Sequence, residues 1–254
     1  MSLETGVKGG VATVTISHPA KRNAMTAAMW RELPDLLHGL AKDPGVRALV
    51  LTGEGDHFCA GADITELASI NAAGDANLSS RAEAALADFP KPTIAAIRGF
   101  CVGGGWQLAG ACDVRFADPG ARFAITPAKI GIVYPPTAIR RLVALVGPAA
   151  AKYLLYSADL IDAAHALRLG FVQEIADDLD GRVAEYVDVV LSRSQFSHEA
   201  AKEIIDGFVA GTMTDARLEE WQAASISGPD AAEGVAAFKE RRAPHFTWTR
   251  PQSG

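Results

Sequence analysis

The stretch PTIAAIRGFCVGGGWQLAGACDVRFAD (92–118) decides the fold. Residues 92–99 are rich in small and β-branched side chains and are bounded by Pro and Gly, a pattern typical of a strand. A run of small residues and a helical pattern follow, and CDVRFAD (112–118) again has the character of a strand. Strands that alternate with a helix in this way predict an α/β layer.

The rest of the N-terminal half repeats this alternation. VATVTI (11–16) and VRALVLTG (46–53) predict two further strands, separated by a helix over about 26–41 and followed by a longer region, 63–88. From about residue 137 the pattern becomes helical, and Gly and Pro separate the segments. The predicted helices cover 137–146, 148–156, 162–168, 180–193, 197–210, 214–226 and 229–241. We therefore expect one α/β core with a helical C-terminal extension.

Composition and charge exclude several classes of protein. The 254 residues are 49% apolar and 21% charged, with a net charge of -6, which is typical of a globular chain with a sizeable core. The acidic balance argues against nucleic acid and membranes as partners. No apolar run approaches the roughly 18 residues of a membrane span, and the N-terminus does not resemble a signal peptide. Three cysteines without CxxC spacing favour reduced thiols and a cytoplasmic location.

Two segments of small residues carry the candidate chemistry, HFCAGADI (57–64) and GFCVGGGWQL (99–108). Each runs from the end of a predicted strand into a helical pattern. Backbone N–H groups at a helix N-terminus are free and point outward, and two of them converging on one point would form an oxyanion hole. Either segment alone is more typical of a tight strand-to-helix turn, since such turns are common. Signatures of phosphate loops, zinc proteases and nucleophile elbows are missing from the sequence.

The pair AGADI (60–64) and GGGWQLAGACD (103–113) resembles the enoyl-CoA hydratase/isomerase family, the crotonase superfamily. The resemblance covers nearly the whole chain. It implies an α/β fold, the crotonase (ClpP-like) spiral of ββα units over residues 1–195, and a helical C-terminal trimerisation part over 196–254. The further matching runs are KRNAM (21–25), VLTGEGDHFCAGADI (50–64), FPKPTIAAIRGF (89–100), ARFAITPAKIGI (121–132) and AAFKERRAPHF (236–246).

The same resemblance implies an acyl-coenzyme A thioester as the ligand. The N–H groups of Ala62 and Gly104 would bind its carbonyl oxygen and stabilise the enolate formed at Cα. No cofactor is expected beyond the coenzyme A carried by the substrate, and no metal. The expected assembly is a homotrimer or a dimer of trimers. The residues expected to contact substrate and CoA are Lys21, Arg22, Ala24, Ala60, Ala62, Asp63, Ile64, Thr65, Glu66, Gly104, Thr126 and Arg241.

Two positions depart from the family's hydratases. The hydratases hold and activate a water with two glutamates, and this chain has Gln107 and Pro127 at those positions. Neither side chain accepts a proton at neutral pH, and no Asp or Glu lies between Asp118 and Asp159 that could take over the task. Hydration is therefore in doubt.

Decarboxylation of a malonyl-type thioester needs an enolate but no carboxylate base. The run from Thr126 to Tyr134 resembles the methylmalonyl-CoA decarboxylase branch, with Tyr134 at its active-site tyrosine. We expect the Tyr134 hydroxyl to bind a carboxylate or a water, with packing beside Pro135 and Pro136 as the alternative for this side chain. The Gln107 amide is expected to line the pocket and to orient a substrate carboxylate or a water. The alternatives are an enoyl-CoA hydratase or isomerase with atypical residues, an acyl-CoA-binding protein without catalysis, and, least favoured because no lysine-rich helix is present, an RNA-binding protein.

Overall fold

The computed structural model describes residues 1–71 and 77–250. Parts of two expectations, the region 63–88 and the C-terminal part 196–254, lie outside these residues. Within the described ranges the strands are β1 (Ser2–Lys8), β2 (Val11–Ser17), β3 (Ala48–Gly53), β4 (Thr93–Ile97), β5 (Phe100–Val102), β6 (Val114–Ala117), β7 (Arg122–Ala124), β8 (Ile161–Asp162) and β9 (Glu174–Ile175).

The helices of the first half are interleaved with these strands, and those of the second half follow one another. Pro19–Lys21 and Ile64–Glu66 form short 3-10 helices. The α-helices are α1 (Ala27–Lys42), α2 (Leu67–Ile70), α3 (Leu78–Ala87), α4 (Gly104–Ala111), α5 (Pro127–Ile130), α6 (Pro136–Ser157), α7 (Ala163–Arg168), α8 (Leu179–Leu191), α9 (Gln195–Ala210), α10 (Asp215–Ser227) and α11 (Pro229–Glu240).

A six-stranded sheet with the order β1-β2-β3-β4-β6-β9 forms the centre of the fold. Its first pair is an antiparallel hairpin, and every later pair is parallel. A smaller sheet has the order β5-β7-β8. Parallel neighbours require helical crossovers, and the expected α/β core with a helical C-terminal part is confirmed.

Strand β3 shows why the central strands are apolar throughout. Leu49 and Leu51 belong to the main core on one face of the sheet, while Ala48 and Val50 belong to a second core on the other. Helices α1, α3 and α4 cover the first face, and α8 covers the second with Val183 and its apolar neighbours. Because both faces are covered, Ala48, Leu49, Val50 and Leu51 are all buried, which is typical of parallel sheets.

Pairing between β5 and the segment that follows β3 positions the two glycine- and alanine-rich segments. The backbone N–H of Cys59 donates to the Phe100 carbonyl (2.9 Å), and the Cys59 carbonyl accepts from the Val102 amide (3.0 Å). The 57–64 segment therefore runs parallel to β5. Helix α4 starts directly after β5. The fold therefore brings the two segments side by side.

The predicted C-terminal helices agree with the structure to within about two residues at most ends. The expected interruption at Gly147 is present, since its φ of 78° and ψ of 164° break α6 into two helical stretches. Among the described residues, no helix is long and apolar enough to cross a membrane.

Candidate active site

One cavity of about 590 Å³ lies between the two segments, α5 and the loop that precedes α6. This volume is within the range of small-molecule sites. Its walls combine backbone from the two segments with side chains from the 126–135 region. The sequence-predicted site residues that line it are Lys21, Ala24, Ala60, Ala62, Asp63, Ile64, Thr65, Gly104, Thr126 and Tyr134.

The amides of Ala62 and Gly104 lie at the point where the two segments approach each other. The backbone of Met25 holds the residues on both sides of Ala62. Its amide donates to the Gly61 carbonyl (2.8 Å), and its carbonyl accepts from the Asp63 amide (2.8 Å), which fixes the Ala62 backbone between them. Gly104 is the first residue of α4, where an amide has no acceptor within the helix. Among the residues that the structure describes, neither the Ala62 nor the Gly104 amide has a protein acceptor. Both are therefore available to a ligand in the cavity.

Close approach of the segments explains the glycines at the start of α4. A methyl group on Gly104 would lie 2.8 Å from the Trp30 ring and 3.3 Å from the Ala62 nitrogen. A methyl group on Gly105 would lie 2.2 Å from the Cys59 carbonyl oxygen. Carbon atoms in contact prefer about 3.5–4.0 Å, so only glycine allows the helix to start this close to the 57–64 segment.

The side chain of Tyr134 borders the cavity, but its hydroxyl is already bonded. It donates to the Gly103 carbonyl at 2.7 Å. The side chain is buried, and burial together with the nearby negative charge of Glu83 raises the pKa of the phenol well above its ordinary value. The neutral phenol has one proton to donate, and this proton is used within the protein.

Gln107 does not line the cavity. It is buried, and its Nε2 donates to Glu83 Oε2 at 2.9 Å. The same oxygen accepts from Thr137 Oγ1 (2.8 Å), while Oε1 accepts from Arg141 Nε (3.0 Å). The expectation that the Gln107 amide faces a substrate carboxylate or water therefore needs correction, because its N–H group faces an internal acid.

Glu83 is the residue that sequence reasoning missed. Glu83 is 44 positions before Pro127 in the sequence, and it reaches Gln107 because tertiary packing brings α3 against α4. Only 1% of Glu83 is exposed. The available signal was its place on the apolar face of α3, since the buried residues of this helix are Leu78, Ser79, Ala82, Glu83 and Leu86. A carboxylate on such a face needs partners.

Pro127 lies in the cavity wall as the first residue of α5. Its ring has no group that can exchange a proton. Among the described residues, Asp63 is the only carboxylate in the wall. The cavity therefore offers free backbone N–H donors but few side chains that can exchange a proton with a ligand.

An ion pair closes one side of the cavity. Lys21 Nζ lies 2.5 Å from Asp63 Oδ2, and Asp63 Oδ1 accepts from the amide (3.1 Å) and hydroxyl (2.8 Å) of Thr65. The hydrogen bonds from Lys21 and Thr65 lower the pKa of Asp63 to about 2. Asp63 is therefore ionised and fully bonded at neutral pH, and Lys21, half exposed, presents a cation beside the cavity.

Three further predicted contact residues lie outside the cavity wall. The Arg22 guanidinium stacks 4.7 Å from the centre of the Phe100 ring. Glu66 Oε2 accepts from the Ala27 amide (2.8 Å) at the start of α1. Arg241 caps the C-terminus of α11 and is exposed. Within one chain the structure does not bring these three side chains to the cavity.

Comparison with known proteins identifies the family. The family model for enoyl-CoA hydratase/isomerase matches residues 6–249. A putative enoyl-CoA hydratase of Thermus thermophilus is 36% identical over 259 residues, covering 94% of this chain and 98% of that protein. A probable enoyl-CoA hydratase of Mycobacterium leprae is 35% identical over 243 residues, covering 93% and 94%.

A crystal structure of an enoyl-CoA hydratase/isomerase family member superposes with a TM-score of 0.94 at 40% identity, covering 99% of this chain and 98% of that one. The expected crotonase fold is therefore confirmed. A family match over nearly the whole length, on a fold whose two glycine- and alanine-rich segments meet at one cavity, leads to one conclusion: this chain belongs to the enoyl-CoA hydratase/isomerase family.

Proposed function

We propose that the protein is an acyl-CoA enzyme that binds the thioester carbonyl with the amides of Ala62 and Gly104. The observation that carries this proposal is the presence, at the wall of one cavity, of two amides that have no acceptor within residues 1–71 and 77–250. Donors placed where negative charge develops stabilise an enolate more than the neutral thioester, and each is typically worth about 3 kcal/mol of the barrier. The family membership supports the same chemistry.

The reaction that fits this site best is decarboxylation of a malonyl-type thioester. The bond between Cα and the carboxylate breaks, CO₂ leaves, and the electron pair forms the enolate, whose oxygen is held by the two amides. A proton from solvent then adds to Cα. No protein base is required, which agrees with Gln107 and Pro127 at the hydratase glutamate positions and with an Asp63 whose pKa is lowered to about 2.

The second candidate is hydration or isomerisation of an enoyl-CoA with atypical residues. Glu83 favours it, because this buried acid is hydrogen-bonded to Gln107 at 2.9 Å. The names of the relatives also support it. General acid–base catalysis nevertheless requires the acid to reach the substrate directly or through one water, and Glu83 is not among the residues that line the cavity. A non-catalytic acyl-CoA-binding protein is the third candidate.

Two substrates and one binding measurement separate these candidates. We expect CO₂ release from methylmalonyl-CoA and no hydration of crotonyl-CoA. Hydration of crotonyl-CoA that is lost in Glu83→Gln would establish the second candidate. Binding of CoA thioesters without turnover of either compound would establish the third. Failure to bind any CoA thioester would refute the proposal as a whole.

The basic side chains beside the cavity suit the CoA part of the ligand. Lys21 and Lys129 both contribute to its wall, and cations there attract the phosphates of CoA. We propose no cofactor other than this CoA, which arrives and leaves as part of substrate and product.

The C-terminal helices support self-association into a homotrimer or a dimer of trimers. Large apolar side chains are exposed there, among them Phe208 (62%) on α9, Ile226 (86%) on α10 and Phe238 (86%) on α11. Large exposed apolar side chains mark interaction sites where they form one surface, and we propose that these three lie in subunit interfaces. Light scattering after size-exclusion chromatography tests this proposal, and a monomeric mass at micromolar concentration would refute it.

A further inference from the structure

The hydrogen bond of Tyr134 acts on the same peptide unit that supplies one of the two amides. Its hydroxyl donates to the Gly103 carbonyl oxygen at 2.7 Å. That carbonyl and the Gly104 N–H belong to one peptide group, which is planar. In a trans peptide the N–H points opposite to the C=O, and the chain has no cis peptide among its described residues. A bond that fixes the Gly103 carbonyl therefore also fixes the direction of the Gly104 N–H.

This peptide unit needs such support because it lies between two glycines. Gly103 has φ 53° and ψ -108°, outside the helix that follows. Glycine permits many backbone conformations, so the 103–104 peptide has little intrinsic preference for one orientation. Two donors hold its carbonyl, the Tyr134 hydroxyl and the backbone N–H of Gln107, the latter at 3.0 Å. The Gln107 bond belongs to the helix itself, whereas the Tyr134 bond comes from outside it.

The same bond makes the Gly104 amide a stronger donor. A hydrogen bond to a carbonyl polarises the peptide group and strengthens its N–H, by about 10–30% per bond. The donor is permanent, since burial and the charge of Glu83 raise the pKa of Tyr134 and keep its proton in place. Tyr134 follows α5 and immediately precedes Pro135 and Pro136, whose rings restrict the backbone at this point.

We propose that Tyr134 is a positioning residue that orients and polarises the Gly103–Gly104 peptide, so that the Gly104 N–H points at the thioester carbonyl. This inference rests on the proposed function. It assigns Tyr134 an action through the backbone, in place of the direct contact with a substrate carboxylate expected from the sequence.

Isotope-edited infrared spectroscopy of bound acetyl-CoA, labelled with ¹³C at the carbonyl, tests the proposal. Hydrogen bonds from the amides lower the carbonyl stretching frequency in the wild-type complex. We expect Tyr134→Phe to lose about a tenth of that downshift, because one of the two donors weakens by about 10–30%, and more where the peptide also turns away. The affinity for free CoA should be unchanged, and kcat on the substrate of the wild-type protein should fall about tenfold with little change in KM.

Tyr186→Phe is the matched control. Tyr186 is partly buried on α8, packs against Phe116 and lies outside the cavity of Ala62 and Gly104. It should keep the full downshift. A full downshift in Tyr134→Phe would overturn the inference, whatever its melting temperature. Absence of any downshift in the wild type would instead refute the proposed function, and the inference with it.

A second variant protects the test against misfolding of Tyr134→Phe. Uniform incorporation of 3-fluorotyrosine keeps every hydroxyl and makes each a stronger donor. We expect it to enlarge the downshift in the wild-type sequence and to have no such effect in Tyr134→Phe if that variant folds. An unchanged downshift in the fluorinated wild-type protein would also overturn the inference.

Discussion

Replacement of Gly104 by alanine should disable the enzyme while leaving it folded. The added methyl group would lie 2.8 Å from the Trp30 ring, whereas carbon contacts need about 3.5 Å. Trp30 is fully buried in the core, so the start of α4 has to yield by about 0.7 Å. An N–H···O distance of about 2.9 Å then becomes about 3.6 Å, which is beyond a hydrogen bond.

The expected fall in kcat follows from the loss of one oxyanion-hole donor. Removal of such a donor costs about 2.7–4 kcal/mol, or about 10²–10³ in kcat. The assay is release of CO₂ from methylmalonyl-CoA under saturating conditions, with the melting temperature measured in parallel. We expect kcat to fall by at least about a hundredfold and the protein to remain folded.

Gly110→Ala provides the matched control in the same helix. A methyl group there would meet its nearest neighbours, on Leu145, Arg141 and Phe171, at 3.6–3.7 Å, which is ordinary contact. Alanine is also a better helix former than glycine, so this variant should keep full activity and at least wild-type stability. Wild-type turnover by Gly104→Ala would refute the assignment of its amide to the oxyanion hole.

Three further outcomes are expected. The kcat for decarboxylation should be flat between about pH 5 and 9, because Asp63, with its pKa lowered to about 2, stays ionised and Tyr134, with its pKa raised, stays neutral; a bell-shaped profile would indicate a protein base. Lys21→Met should weaken CoA-thioester binding about tenfold in isothermal titration calorimetry at low salt, whereas Lys8→Met, on the exposed β1, should not. Glu83→Leu should lower the free energy of unfolding by about 1–3 kcal/mol in urea titrations, because Gln107 loses its buried acceptor; an unchanged midpoint would contradict the role given to that acid.

The sequence predicts the strands with strong apolar character and the helices with clear boundaries. Strand β1 was missed because Leu3 is its only buried residue, so it has no apolar periodicity. Strands β5 and β7 have three residues each, too few to show a pattern. These two short strands nevertheless carry the second sheet, which supports the carbonyl and amide groups near the cavity.

The two glycine- and alanine-rich segments were predictable as a pair because their small residues serve a local purpose, the close approach of backbone to backbone. The partners of the polar side chains were not. Gln107 meets Glu83 across 24 positions of sequence, and the Tyr134 hydroxyl meets Gly103 across 31. Neither spacing follows from the periodicity of one element, since both depend on how α3 and the loop before α6 pack against α4.

A crystal structure with acetyl-CoA bound tests whether the two amides hold the thioester carbonyl. The carbonyl oxygen should lie about 2.7–3.1 Å from both the Ala62 and the Gly104 nitrogen. A carbonyl more than about 3.5 Å from either nitrogen, or one turned toward the side of the cavity formed by Lys21 and Asp63, would contradict the account.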